Sequence, residues 1–134
     1  MFNKKSNDAE QFVKTRINSF QAAFHGLGYV LKTQKNAWIH LTATIGVIAL
    51  SFWLEISRLE WLAILLVIGL VWMAEFLNTA LEAIVDLASP EIHPLARISK
   101  DVGAASVLIA AFIAIIIGCI VFIPAILEKI NLFV

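Results

Sequence analysis

The chain has 134 residues, enough for one domain, and is 60% hydrophobic, against roughly 45–50% in soluble domains. Ten basic and ten acidic side chains cancel, which excludes the one-signed field of a nucleic-acid or polyanion binder. A single cysteine, Cys119, excludes an intrachain disulfide framework. Residues 1–134 therefore read as one all-α integral membrane domain.

The first predicted element is an amphipathic helix over about residues 8–27. Val13, Ile17, Phe20, Phe24 and Leu27 recur at spacings of four and three, with Lys14, Arg16, Asn18 and Gln21 largely between them. Such a helix lies on the inner membrane face or packs on its own bundle, and the pattern fits both. Gly26 and Gly28 punctuate it. Residues 36–54 follow with no acidic or basic side chain between Lys35 and Glu55, long enough to cross a hydrocarbon layer of ~30 Å. His40 is the only titratable group inside this span, and it reads as a packing or interfacial histidine.

After a short loop over 55–60, residues 61–74 are uncharged and the helical pattern continues to about Asp86. This second span crosses the membrane only if Glu75 lies within its boundary. Two prolines, Pro90 and Pro94, sit in the connecting segment 87–100 and end the helix. A third membrane helix is predicted over 101–127, where residues 102–127 carry no charge. Ala110, Ala114 and Gly118 give it a small-residue stripe for close helix packing. Basic residues concentrate before the first span and at Arg97 and Lys100, against Arg58 alone in the first loop and Lys129 after the last span. The positive-inside rule then places the N-terminus in the cytoplasm and the C-terminus outside, with Trp53 and Trp61 as interfacial anchors.

Within the second span, Glu75, Asn78, Thr79, Glu82 and Asp86 fall on one narrow helical stripe at ~100° per residue. Acids in a membrane segment are costly unless paired, wetted or bound to a cation, so a row of them marks a working site. If the helix enters from outside near Trp61, Glu75 lies about 21 Å in and Asp86 about 37 Å in. The stripe then starts below the midplane and emerges among cytoplasmic headgroups. A transporter more often keeps its key carboxylate at the midplane. This placement favours chemistry on a headgroup with a soluble reagent. Lys100 and Asp101 open the third helix at the same level, where a lysine can clamp phosphate and carboxylates can hold Mg²⁺. No G-x-x-x-x-G-K-[ST] loop exists, which excludes a P-loop kinase. The charge pattern alone suits an interfacial enzyme and, nearly as well, a polar oligomer contact.

Three segments together carry a resemblance: Glu75-Phe-Leu-Asn78-Thr79-Ala80-Leu-Glu82-Ala-Ile-Val-Asp86, His93-Pro94-Leu95-Ala96, and Lys100-Asp101-Val-Gly-Ala-Ala-Ser-Val-Leu. They resemble the small bacterial membrane lipid kinases, which include diacylglycerol kinase and undecaprenol kinase. Phe24-His-Gly26-Leu and Thr33-Gln-Lys-Asn36-Ala-Trp-Ile-His40 extend the likeness over nearly the whole chain. The resemblance implies an N-terminal amphipathic helix, three membrane spans and a homotrimer with active sites shared between neighbours. It implies transfer of the γ-phosphoryl group of ATP to a lipid hydroxyl with Mg²⁺ as cofactor. Glu75 matches the catalytic base and Glu82 a Mg²⁺ and ATP ligand. Lys100 and Asp101 match ATP-contacting positions, Glu91 and His93 align with the loop that touches the nucleotide, and Asn78 and Asp86 match polar positions of the motif.

The chain departs from the family pattern at Gln34, where a second metal-binding glutamate is common. A glutamine coordinates through its carbonyl oxygen but brings no charge. Ala22 and Ile92 replace frequent tyrosines. The His-Pro-Leu-Ala and Asn-Ala-Trp-Ile-His stretches sit closer to the undecaprenol-type branch. The rival readings are a small oligomeric transporter or channel, and a catalytically silent relative acting as an assembly protein.

Overall fold

The computed structural model describes residues 2–89 and 93–131, with side chains from residue 11 onward. Among these residues every regular element is helical: α1 (Phe2–Thr33), α2 (Lys35–Leu54), α3 (Arg58–Ala88) and α4 (Pro94–Asn131). Helices α2, α3 and α4 are each long and apolar enough to cross a membrane. The chain divides into two compact units, residues 1–35 and 36–134.

The first unit is essentially α1. The sequence places a break at Gly26 and Gly28, yet α1 continues through both and reaches Thr33. A glycine lowers helix propensity by about 1 kcal/mol against alanine, too little by itself to stop a helix. Phe20 and Phe24 of its apolar stripe are both more than half exposed.

In the second unit, α3 lies along α4, and α2 joins them through a tight turn. That turn has defined chemistry. Glu55 adopts φ 56°, and Ser57 caps α3 by accepting from the Glu60 amide while the Glu60 carboxylate accepts from the Ser57 amide at 2.7 Å. This reciprocal pair satisfies two backbone donors that the first turn otherwise leaves open. Beside the turn, Leu54, Ile56, Ile64, Val121 and Phe122 form a buried apolar cluster. Lys129 reaches back from α4 to donate to the Trp53 carbonyl at 3.1 Å. The α2–α3 turn and the C-terminal end of α4 therefore share one end of the unit.

At the other end the connection is shorter than the sequence suggests. The third apolar helix begins at Pro94 rather than near residue 101. Proline is well suited to the first helical position, where its missing N–H is one of the unpaired donors anyway. His93 completes this start, because its Nδ1 accepts from the Leu95 amide at 3.2 Å. Helix α3 is also extended, running from Arg58 to Ala88. Its 31 residues give a length of about 46 Å, well beyond a ~30 Å hydrocarbon layer, so the helix must project on at least one side. Pro124 lies inside α4 without ending it.

Replacing Ser57 with alanine removes the cap and should lower stability by about 1 kcal/mol. Reversible unfolding in mixed micelles measures this, with Ser57→Asp expected to retain wild-type stability.

Candidate functional site

The polar stripe of α3 divides into a buried level and an open level. At the buried level Glu75 has 1% of its surface exposed, and Asn78 and Thr79 are buried beside it. Thr79 Oγ1 donates to the Glu75 backbone carbonyl at 2.9 Å, which satisfies the hydroxyl within the helix. Thr79 is thus spent on the helix backbone. Both carboxylate oxygens of Glu75 are buried without a hydrogen-bond partner, as is Asn78 Oδ1. Such groups are costly to bury.

Glu75 faces a residue that the sequence treats as packing. His40 Nε2, on α2, lies 3.6 Å from Glu75 Oε2 and is itself a buried atom without a hydrogen-bond partner. One turn away, Trp72 Nε1 donates to Thr44 Oγ1 at 3.1 Å, and the Trp72 ring stands edge-on to His40. Two polar pairs, His40–Glu75 and Thr44–Trp72, therefore link α2 to α3. Their signal in the sequence is the i, i+4 spacing of His40 and Thr44 on an otherwise apolar helix.

Asn78 is held from two sides. Its Nδ2 donates to Glu82 Oε1 at 3.2 Å, and on its other side α4 presents Gly103. A Cβ added at Gly103 would come within 2.5 Å of Asn78 Oδ1, so the close approach of the two helices here depends on the missing side chain. That dependence is absent from the periodic pattern of either helix.

At the open level Asp86 Oδ1 pairs with Lys100 Nζ at 2.5 Å, across α3 and α4. Asp101 pairs with Arg97 at 3.9 Å on α4 itself, and both side chains are strongly exposed. Because α4 starts at Pro94, Lys100 and Asp101 stand in its second turn rather than opening it. The structure thus brings Asn78, Asp86 and Lys100 to the α3–α4 seam, with Glu82 bonded to Asn78, Glu75 facing α2 and Asp101 on the exposed side of α4. His93 is engaged in capping α4. Gln34 follows α1 in the N-terminal unit, its amide bonded to the Val30 carbonyl. Glu91 and Ile92 lie outside the described residues.

Among the described residues no three His, Cys, Asp or Glu side chains gather as a metal site. The donors on α3 nevertheless suit Mg²⁺: the Glu82 carboxylate, which accepts from Asn78 Nδ2 at 3.2 Å, and the Asp86 carboxylate one turn farther on. These are hard oxygen donors, and Mg²⁺ characteristically takes one or two carboxylates and completes its shell with water and substrate phosphates. A cavity of about 390 Å³ opens at the opposite end of the unit, among Leu54, Ser57, Glu60, Pro124 and Lys129. It shares no residue with the stripe.

Residues 21–122 match the family model described as prokaryotic diacylglycerol kinase. The chain is 38% identical over 118 residues to the undecaprenol kinase of Bacillus subtilis, covering 88% of this chain and 93% of that one. It is 36% identical over 122 residues to a diacylglycerol kinase of Synechocystis, covering 90% and 70%. The diacylglycerol kinase of Escherichia coli K12 is 32% identical over 108 residues, covering 75% and 88%.

The Gly103 contact gives a sharp expectation. Gly103→Ala must displace the Asn78 carboxamide and disturb its bond to Glu82, and should destabilise by about 1–2 kcal/mol. Gly118→Ala meets nothing closer than 3.9 Å and should stabilise α4 by about 0.5–1 kcal/mol. Unfolding titrations of the two variants in one lipid mixture check the opposite signs.

Proposed function

This chain belongs to the prokaryotic diacylglycerol kinase family and is a membrane lipid kinase; we propose that it transfers the γ-phosphoryl group of ATP to the hydroxyl of a membrane lipid at the cytoplasmic face. The observation that carries this reading is the buried, unpartnered carboxylate of Glu75, set on the same α3 stripe as the acids that approach Lys100. One end of the stripe suits a lipid alcohol and the other a polyphosphate.

Phosphoryl transfer asks a protein for little covalent chemistry. It needs the reactants in line, charge neutralised on the transferred group, and an acceptor for the hydroxyl proton. Glu75 takes the last role: it is an acceptor-only carboxylate in a dry site, with both oxygens unspent on protein donors. Glu82 would hold Mg²⁺, which would neutralise phosphate charge. Asn78 keeps Glu82 in place through its 3.2 Å hydrogen bond. Lys100 releases Asp86 and grips the nucleotide's phosphates, a charge exchange that needs no new positive group. Asp86 and Asp101 line the approach, and His93 caps the start of α4. The concentration of Lys and Arg before α2 and at Arg97 and Lys100 supports a cytoplasmic N-terminus and α3–α4 connection, with the α2–α3 turn outside. A homotrimer would cover the apolar faces that α2, α3 and α4 leave exposed.

Undecaprenol is the acceptor we favour. It is supported by the Asn36-Ala-Trp-Ile-His40 and His93-Pro94-Leu95-Ala96 stretches and by the 93% coverage of the Bacillus subtilis relative. Labelled ATP supplied to the full chain in nanodiscs, with undecaprenol and diacylglycerol side by side, should label undecaprenol faster. Label on neither lipid from a well-folded protein would leave a silent relative; ion flux without nucleotide turnover would leave a transporter.

Two variants test the assignment of roles. Glu75→Gln should reduce turnover by about 10²-fold or more while ATP binding stays near wild type, and equal loss of both would make Glu75 a ligand. Gln34→Glu should shift the Mg²⁺ dependence of turnover to lower concentration, because an added carboxylate strengthens an oxygen-ligand site.

A further inference from the structure

His40 and Glu75 are two buried polar groups from different helices, each lacking a hydrogen-bond partner, with 3.6 Å between Nε2 and Oε2. That separation is too long for a hydrogen bond, yet a small rotation of either side chain closes it. Contacts of this kind in a site without substrate commonly tighten only when the reacting complex forms. The His40 ring is guided toward Glu75. Trp72 stands edge-on to it at 6.4 Å between centroids, and the Trp72 indole is fixed by its bond to Thr44. Thr44 and His40 lie one turn apart on α2, as Trp72 and Glu75 do on α3. The neighbouring pair therefore sets the register in which His40 meets the carboxylate.

We infer that His40 is a positioning residue for the phosphoryl transfer: its Nε2–H holds Oε2 of Glu75 and leaves Oε1 to receive the acceptor's proton. The inference rests on Glu75 being the base. A glutamate has three side-chain torsions, and a base without a second partner spends much of its time misaligned; the general pattern of base plus orienting group meets this need. In the step itself the acceptor O–H bond breaks and its proton passes to Glu75 Oε1. The hydroxyl oxygen's electron pair forms the new bond to the γ-phosphorus. The bond from that phosphorus to the β–γ bridging oxygen breaks, and ADP leaves with those electrons. His40 neither gains nor loses a proton.

A packing histidine would require only bulk at position 40, whereas a donor requires an N–H at the place of Nε2. His40→Leu keeps bulk and removes the donor; His40→Gln restores an N–H near that place. In nanodiscs with ATP and both lipid acceptors, His40→Leu should lose about 10- to 100-fold in kcat with the KM values for ATP and lipid near wild type. His40→Gln should recover most of that loss. Wild-type kcat in His40→Leu overturns the inference, and so does an equal loss in the leucine and glutamine variants. Independently of turnover, ¹⁵N NMR of the labelled full chain should show His40 protonated at Nε2, with a resonance that moves in Glu75→Gln. A resonance indifferent to that change overturns the contact. Full turnover in Glu75→Gln would instead sink the reading of Glu75 as the base, and this inference with it, while a resonance that still moved would keep the contact as a packing feature only.

Discussion

An ionisable side chain buried in a membrane bundle is the constraint around which this molecule is arranged. Glu75 is 1% exposed, on a helix whose other faces are apolar enough for lipid. Charge in such a place is tolerated when polar groups converge on it. The second unit supplies that convergence through His40 from α2 and the Asn78–Glu82 pair farther along α3. The cost is met incompletely, since four buried polar atoms, His40 Nε2, Glu75 Oε1 and Oε2, and Asn78 Oδ1, have no hydrogen-bond partner. A site designed only for stability would have paired them or replaced them with hydrocarbon. Unspent acceptors aimed into a helix seam are what a reaction, rather than a fold, requires.

The seam exists because two helices come unusually near each other. Gly103 lets α4 approach until no room for even a methyl group remains beside Asn78. Packing between helices in lipid lacks the hydrophobic drive available in water, so close contact of small residues supplies much of the attraction. The same contact therefore holds α3 to α4 and fixes the carboxamide that braces Glu82. Stability and site geometry are coupled at one position. At the far end of the unit, the Ser57–Glu60 cap and the Lys129 contact with Trp53 fix the turn without touching the seam.

Much of this was legible in the sequence, for reasons that differ by element. The three apolar helices follow from uncharged runs, and the α3 stripe from the angular spacing of five residues. The ends of helices were less legible. Pro94 could equally stop one helix or start the next, and only the cap formed by His93 and the position of the following turn show that it starts α4. Gly26 and Gly28 look like punctuation in a one-dimensional pattern, yet α1 absorbs both. A lone histidine on an apolar helix, such as His40, reads as a packing or interfacial residue; its alignment with Glu75 depends on how α2 lies against α3, which no single-helix pattern encodes. Gly103 was invisible for a related reason, since the need for a missing side chain lies in the partner helix.

The length of α3 explains why the acids are strung out rather than clustered. A lipid alcohol stays within the headgroup layer because its chains hold it there, while a nucleoside triphosphate cannot enter hydrocarbon with its charges. An enzyme joining them must meet one reactant in a dry place and the other in water, within a single reach of the γ-phosphorus. A helix of about 46 Å can do this by continuing past the hydrocarbon edge, carrying Glu75 on its buried part and Asp86, exposed and paired with Lys100, toward its open end. On the proposed assignment, clustering all the carboxylates at one depth would either wet Glu75, weakening every electrostatic interaction it makes, or bury Lys100 beyond the nucleotide's reach. The spacing of the stripe is thus the membrane's own polarity gradient written along one helix.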